Sequence, residues 1–247
     1  MPFYEEIADI YDEMTRFDQR LEQEIATLAQ WRQRYHVNTV LDVACGTGLH
    51  ALALARLGIA VTGADLSEAM LSKAKVHAQK AGAHIAWIHA PMQELAAQLP
   101  GKRYDAIFCL GNSLPHLLEP ADLETAFENF ATLLAPQGIL VLQLLNYERV
   151  LTQRERIVGI RRQDDILFVR FYDFHPPTLT FNILTIHTPD PNCPHHLHST
   201  TLYPYQHAEL VSMLPRHGFS SIEYYGTMQF QPFDPQTSPD LIVVAQC

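Results

Sequence analysis

The sequence predicts an α/β fold: a mostly parallel sheet flanked by helices, with an antiparallel β segment inserted late in the chain. Three observations predict it. Thr39 to Val43 is apolar and β-branched, Gly46 and Gly48 follow, and Leu49, Leu52, Ala53 and Leu57 then recur at helical spacing. Strand-like and helical runs alternate from there to Leu145. Between Arg154 and Thr201 that rhythm stops, and short stretches of partly alternating polarity replace it.

Taken in order, Tyr4 to Tyr35 reads as helical. Ile7, Ile10, Tyr11 and Met14 form one apolar stripe, and Leu21, Ile25, Leu28 and Trp31 another. The first strand runs into Leu41-Asp42-Val43-Ala44-Cys45-Gly46-Thr47-Gly48. Glycines let the backbone approach a ligand with no Cβ in the way, and the following helix offers free N–H groups and a partial positive charge. This geometry can hold an adenosine cofactor; it also opens dinucleotide-binding folds. Asp42, ahead of the glycines, can meet a cationic amino group. Val61 to Asp65 reads as a second strand. Its closing acid follows Gly48 by 17 positions (65 − 48), which suits a grip on ribose hydroxyls. Ser67 caps a helix that runs to Ala81 and closes at Gly82.

His84 to His89 is a third strand, with Met92 in the loop beyond it. Tyr104 to Leu110 is a fourth, almost continuously apolar, as a strand buried on both faces is. It runs into Gly111-Asn112-Ser113-Leu114-Pro115-His116-Leu117. Open α/β sheets bind ligands at the carboxyl ends of their strands, so Asn112 and His116 stand where an acceptor would lie. Ala121 to Leu134 reads as a helix and Ile139 to Leu145 as the fifth strand. In the insertion, Ile157 to Arg161, Ile166 to Phe174 and Thr180 to His187 read as strands. Arg161, Arg162, Arg170, Tyr172 and His175 there can recognise a substrate; a solvated strand face is the plain alternative for each. Pro191 to His198 reads as a hairpin tip. Its imidazoles and thiol lack the separated ligand pairs of a zinc module, and no metal is expected. Tyr205 to Gly218 reads as a helix, and Ser220 to Tyr225 and Leu241 to Gln246 as the last two strands.

The glycine turn, together with Gly63-Ala64-Asp65-Leu66-Ser67 and Met70-Leu71, resembles the class I S-adenosylmethionine-dependent methyltransferases. Cys109 to Leu117 and Asn146-Tyr147-Glu148-Arg149-Val150-Leu151 narrow the resemblance to the glycine and sarcosine N-methyltransferases, over roughly Tyr11 to Leu151. The resemblance implies a Rossmann-like, mostly parallel sheet of seven strands with the last one antiparallel. It implies S-adenosyl-L-methionine as cofactor and direct in-line methyl transfer to a small-molecule acceptor, foremost an amine nitrogen. Cofactor contacts are expected from Tyr11, Arg20, Asp42, Ala44, Gly46, Gly48, Asp65, Leu66, Met70, Met92 and Leu110. Asn112 and His116 are the catalytic candidates, and Tyr147 and Arg170 join them in substrate binding. One departure matters. Glycine methyltransferases carry an arginine just before the Asn-Tyr pair, where this chain has Leu145. An apolar residue cannot neutralise a carboxylate, so that task would fall to another arginine.

The 247 residues fit one domain, 1–247. Within it, 1–36 reads as a helical lid, 37–150 as the cofactor-binding core, 151–203 as a β-rich insertion over the active site and 204–247 as the return of the core. A net charge of −10 with only 17 Lys and Arg argues against a nucleic-acid substrate. Cys45, Cys109, Cys193 and Cys247 form no close pair, which suits reduced thiols in a cytoplasmic protein. Met1 to Asp12 lacks the apolar segment of a signal peptide, and no apolar run suggests a membrane partner. A homo-oligomer stays open. Two rival functions also stand: an NAD(P)-dependent oxidoreductase and a non-catalytic cofactor-binding module.

Overall fold

The computed structural model describes residues 2–247. Helices α1 (Pro2–Thr15) and α2 (Phe17–Tyr35) precede the first strand. The helical stretch expected here divides at Arg16, whose φ of 59° and ψ of 52° are left-handed. The hydroxyl of Thr15 donates to the Tyr11 carbonyl, and Arg161 donates to the Met14 carbonyl, each at 2.8 Å. The last turn of α1 is thereby satisfied by side chains, and the helix can stop. No glycine or proline marks the place, which falls between the two apolar stripes, Ile7 to Met14 and Leu21 to Trp31.

Then follow β1 (Thr39–Val43), α3 (Leu49–Arg56), β2 (Ala60–Asp65), α4 (Glu68–Lys80), β3 (Ala86–His89), α5 (Leu95–Gln98), β4 (Tyr104–Cys109), α6 (Pro120–Leu133) and β5 (Leu134–Leu145). A 3₁₀ turn, Leu114–His116, sits between β4 and α6. Ser67 caps α4 as expected, accepting from the Met70 N–H at 3.2 Å. After α7 (Tyr147–Gln153) comes the insertion: β6 (Ile157–Gln163), β7 (Ile166–His175), β8 (Thr178–His187) and β9 (His195–Leu202). The chain closes with α8 (His207–Met213), β10 (Ser221–Tyr225) and β11 (Asp240–Gln246). Pro215 lies in a 3₁₀ turn that ends α8 short of the expected Gly218.

Seven strands form the main sheet in the order β10-β11-β5-β4-β1-β2-β3. The pairs β5–β4, β4–β1, β1–β2 and β2–β3 are parallel, and β11 is antiparallel to both its neighbours. Strand order reverses between β1 and β4, so a crevice opens at their carboxyl ends. Alternate residues serve opposite faces. Leu41, Val43, Ile107 and Leu140 pack with Phe127 and Phe130 of α6 and Leu210 of α8. Val40, Phe108 and Val141 pack with Leu28 and Trp31 of α2 and Leu52 of α3.

The insertion is a second, antiparallel sheet ordered β6-β7-β8-β9. Its fourth strand was expected as loop: His195 to His198 pair with Ile186 to Ile183, and the tip proper ends at Pro194. Neighbours give β9 its backbone partners, which a polar run of histidine, serine and threonine does not advertise. On the inner face, Phe168 and Ile183 pack on Phe3, Ile7 and Met14 of α1. Among the described residues, no helix is long and apolar enough to cross a membrane.

Candidate functional site

Two adjoining cavities occupy the crevice. The first, about 230 Å³, lies over the β1–α3 turn. Ala44, Gly46 and Gly48 all adopt positive φ there, at 55°, 55° and 84°. A Cβ on Gly46 would meet nothing closer than Tyr11, 4.0 Å away, so this face of the loop is open. Asp65, at the end of β2, accepts from the Gly46 N–H and the Ser67 N–H, both at 2.8 Å. Burial raises its carboxyl above the usual range, and the N–H groups of Ser67, Gly46 and Leu66 oppose that rise. Each carboxylate oxygen has a lone pair left for hydroxyl donors. Leu66, Met70, Met92 and Leu110 add apolar walls. Arg20 lines the same cavity and is held by Glu24 at 2.8 Å. His50 stands beside that pair, 3.7 Å from Glu24, and burial pushes its imidazole down to about 4. The sequence reading missed Glu24 and His50, although Glu24 lies one helical turn from Arg20.

Two expected contacts do not reach this wall. Asp42 is buried on the α3 side of β1, opposite Leu41 and Val43. Strand alternation turns its side chain under the loop rather than into the cavity. Gly48 starts α3, and a Cβ there would press on Ala74 at 3.0 Å and Trp87 at 3.1 Å. Its missing side chain admits α4 and Trp87, not a ligand.

The second cavity, about 240 Å³, lies between the carboxyl edge of the main sheet and the inserted sheet. Tyr4, Tyr11, Thr15, Gly111 and His116 line both cavities, so the two meet at these residues. Tyr4 hydroxyl and His116 Nε2 are 2.9 Å apart, whereas His116 Nδ1 is buried with no partner among the described residues. Burial pushes the His116 imidazole down to about 4, so it is neutral at physiological pH. Asn112, in left-handed conformation at φ 65°, accepts from the Leu145 N–H at 3.0 Å and donates to the Tyr147 hydroxyl at 2.8 Å. Tyr147 itself is buried beneath Asn112 and off the cavity wall, so it braces Asn112 rather than facing a substrate. Arg170 of β7 and Tyr172 face the cavity, as does Leu145. Tyr4 and Asp240 were not foreseen. Asp240 accepts from Gln143 Nε2 at 3.3 Å, and burial raises its carboxyl. Among the described residues, no three His, Cys, Asp or Glu side chains converge as metal ligands do.

Comparison with known proteins fits this geometry. Residues 40–138 match the family described as "Methyltransferase domain". Over 143 residues the chain is 34% identical to the glycine/sarcosine N-methyltransferase of Halorhodospira halochloris, covering 58% of this chain and 53% of that one. Over 107 residues it is 41% identical to the ubiquinone biosynthesis O-methyltransferase of Dechloromonas aromatica, covering 43% and 44%. The chain thus spans about half the length of these relatives. Among solved structures it is similar to the CcbJ methyltransferase of Streptomyces caelestis, with a TM-score of 0.80 and 25% identity over 98% of this chain and 96% of that one.

Proposed function

We propose that the chain, whose residues 40–138 match a methyltransferase domain, is a class I S-adenosylmethionine-dependent methyltransferase that moves a methyl group to an amine nitrogen of a small molecule. The observation that carries this reading is the meeting of two cavities at Tyr4, Tyr11, Gly111 and His116. One has the polar loop and acid that suit an adenosine cofactor, and the other has the walls for an acceptor. When bound, the cofactor supplies a methyl already made electrophilic by its sulfonium.

The residues of this chain position and desolvate. Asp65 receives the ribose hydroxyls, and the backbone at Ala44 and Gly46 backs the methionine part. Arg20 takes its carboxylate, exchanging or sharing Glu24. Leu66, Met70, Met92 and Leu110 enclose the adenine. Asn112, His116 and Arg170 border the acceptor, with Tyr147 bracing Asn112. Alignment of acceptor and methyl can supply roughly 7–11 kcal/mol of the barrier. Nitrogen is favoured over oxygen by the similarity to the glycine/sarcosine N-methyltransferase, and burial makes His116 a weak base. Such a base suits an amine that arrives with its lone pair free better than a hydroxyl that must lose its proton. Helix α1 acts as the lid, and the free thiols suit work in the cytoplasm.

Calorimetry with S-adenosylmethionine, wild type beside Asp65→Ala, tests the site. Wild type should bind, and the variant should lose about tenfold in affinity or more, some 1.4 kcal/mol. A well-folded wild type that ignores S-adenosylmethionine and binds NADH would overturn the reading.

A further inference from the structure

Helix α1 covers only one face of the inserted sheet. Strand alternation sends Phe168, Arg170 and Tyr172 of β7 inward, toward α1 and the second cavity. It sends Leu167, Val169 and Phe171 to the opposite face. The ladder register extends that outer face. Ile160, Val169, Leu184 and Leu197 stand in one cross-strand row, one from each strand. In the row beside it, Leu167 and Ile186 lie between Arg162 and His195. On its other side Ile157 pairs with Phe171. Among the described residues, none of these apolar side chains belongs to a hydrophobic cluster of the fold. Ile160 is 65% exposed, Leu197 56% and Ile157 51%.

An apolar sheet face calls for a second layer to cover it. Four strands about 4.8 Å apart and about nine residues long span roughly 600 Å² in plan. Side-chain relief carries that toward the ~800 Å² which each partner of a stable complex buries. The rim holds both signs of charge. At one end Arg156 lies over the Phe171 ring, 5.7 Å from its centroid, and binds Asp173 at 2.6 Å. At the other end Arg162 stands beside the turn that carries Asp164 and Asp165. A two-fold axis can therefore set basic groups of one copy against acidic groups of the next. An anionic lipid surface would meet the wrong balance. The chain carries a net charge of −10, and β6 to β9 hold no lysine.

We propose that two copies of this chain pack face to face through the outer surface of the inserted sheet, related by a two-fold axis. Ile160, Val169, Leu184 and Leu197 form the dry centre, and Arg156, Arg162, Asp164 and Asp173 the polar rim. The partner then backs the strand whose other face walls the second cavity. Nothing in this pairing depends on what that cavity receives.

Sedimentation equilibrium of the full chain, from about 1 to about 100 μM, tests this. Wild type should sediment at twice 28.0 kDa. It should still do so in about 1 M NaCl, where screening leaves an apolar centre intact. Ile160→Lys with Leu197→Lys puts like charges at both ends of the central row and should weaken association at least about a hundredfold. Ile160→Thr alone should weaken it about tenfold, since a two-fold interface meets each residue twice. Val76→Lys, at an apolar residue of α4 that is 44% exposed, should change nothing. Unaltered far-UV circular dichroism and urea midpoints show that the variants fold, and Ile160→Thr carries the test if the double lysine variant does not. A wild type that stays monomeric at about 100 μM would overturn the proposal. So would a dimer that survives the substitutions at Ile160 and Leu197, dissolves in salt, or is lost equally in Val76→Lys. Wild type that instead floats with phosphatidylserine vesicles, where the double lysine variant does not, would give the face to lipid and overturn it as well.

Discussion

The two cavities differ in how far the protein has already satisfied its own polar groups. Around the first, Asp65 holds two backbone N–H groups, Arg20 holds Glu24, and Ser67 caps α4. Around the second, among the described residues, Arg170 has no hydrogen-bond or ion-pair partner, and His116, at the junction of the two, has an unpartnered Nδ1. The contrast teaches which contacts are architecture and which await a ligand. A loop that must fit one invariant cofactor can be stiffened by bonds it keeps. A wall that must recognise an acceptor keeps donors free and leaves the recognition to the bound molecule.

The sharpest way to break this comparison is to strain the stiff half. At Gly63 of β2 a Cβ would lie 2.5 Å from the Trp87 ring, so Gly63→Ala should destabilise the fold by about 3 kcal/mol in urea unfolding. A loss under about 0.5 kcal/mol would show that Trp87 yields and that the cofactor half is not closely packed.

Asp42 is the exception inside the stiff half, since its Oδ2 is buried with no partner. Burial pushes its carboxyl up to about 8, from an ordinary 3.8. Between those values the folded chain keeps a proton that the unfolded chain has released. Its contribution is therefore full at low pH and is lost as pH rises toward 8. Asp42→Asn should remove roughly 3–4 kcal/mol of that alkaline loss, read as the difference between unfolding at about pH 5 and about pH 8. A variant with the same slope as wild type would mean that Asp42 is ionised in the fold.

The smallest effect belongs to the unsatisfied half. With its imidazole near 4 rather than 6.5, His116 in the folded chain refuses a proton that the unfolded chain accepts. Stability should slip as pH falls from about 6.5 toward 4. The His116 ring resonance, followed by NMR, should titrate near 4. Tyr4→Phe, which deletes the hydroxyl on Nε2, should cost about threefold in turnover. A midpoint near 6.5 would mean that the ring is wet and charged at mildly acidic pH.

The first half was largely legible in the sequence because its determinants are local. A β-branched strand, two close glycines and an acid at the next strand's end lie within Thr39 to Asp65, and the fold follows them nearly residue for residue. Asp42, expected among the cofactor contacts, lies on the face of β1 opposite Leu41 and Val43, as strand alternation implies. The second half draws on distant pairings that no local pattern carries. Tyr4 meets His116 across 112 positions, and Asp240 meets Gln143 across 97. The break at Arg16 was hidden because an arginine in left-handed conformation leaves no compositional mark. β9 was hidden because its order comes from pairing with β8.

Helix α1 supplies Tyr4 and Tyr11 to both cavities, and its last turn is tied to the inserted sheet by Arg161. One door thus serves two rooms. On the proposed reading of α1 as a lid, opening it would expose both cavities together. That reading predicts that a bound acceptor analogue slows the escape of S-adenosylhomocysteine without ever touching it, as stopped-flow release would show.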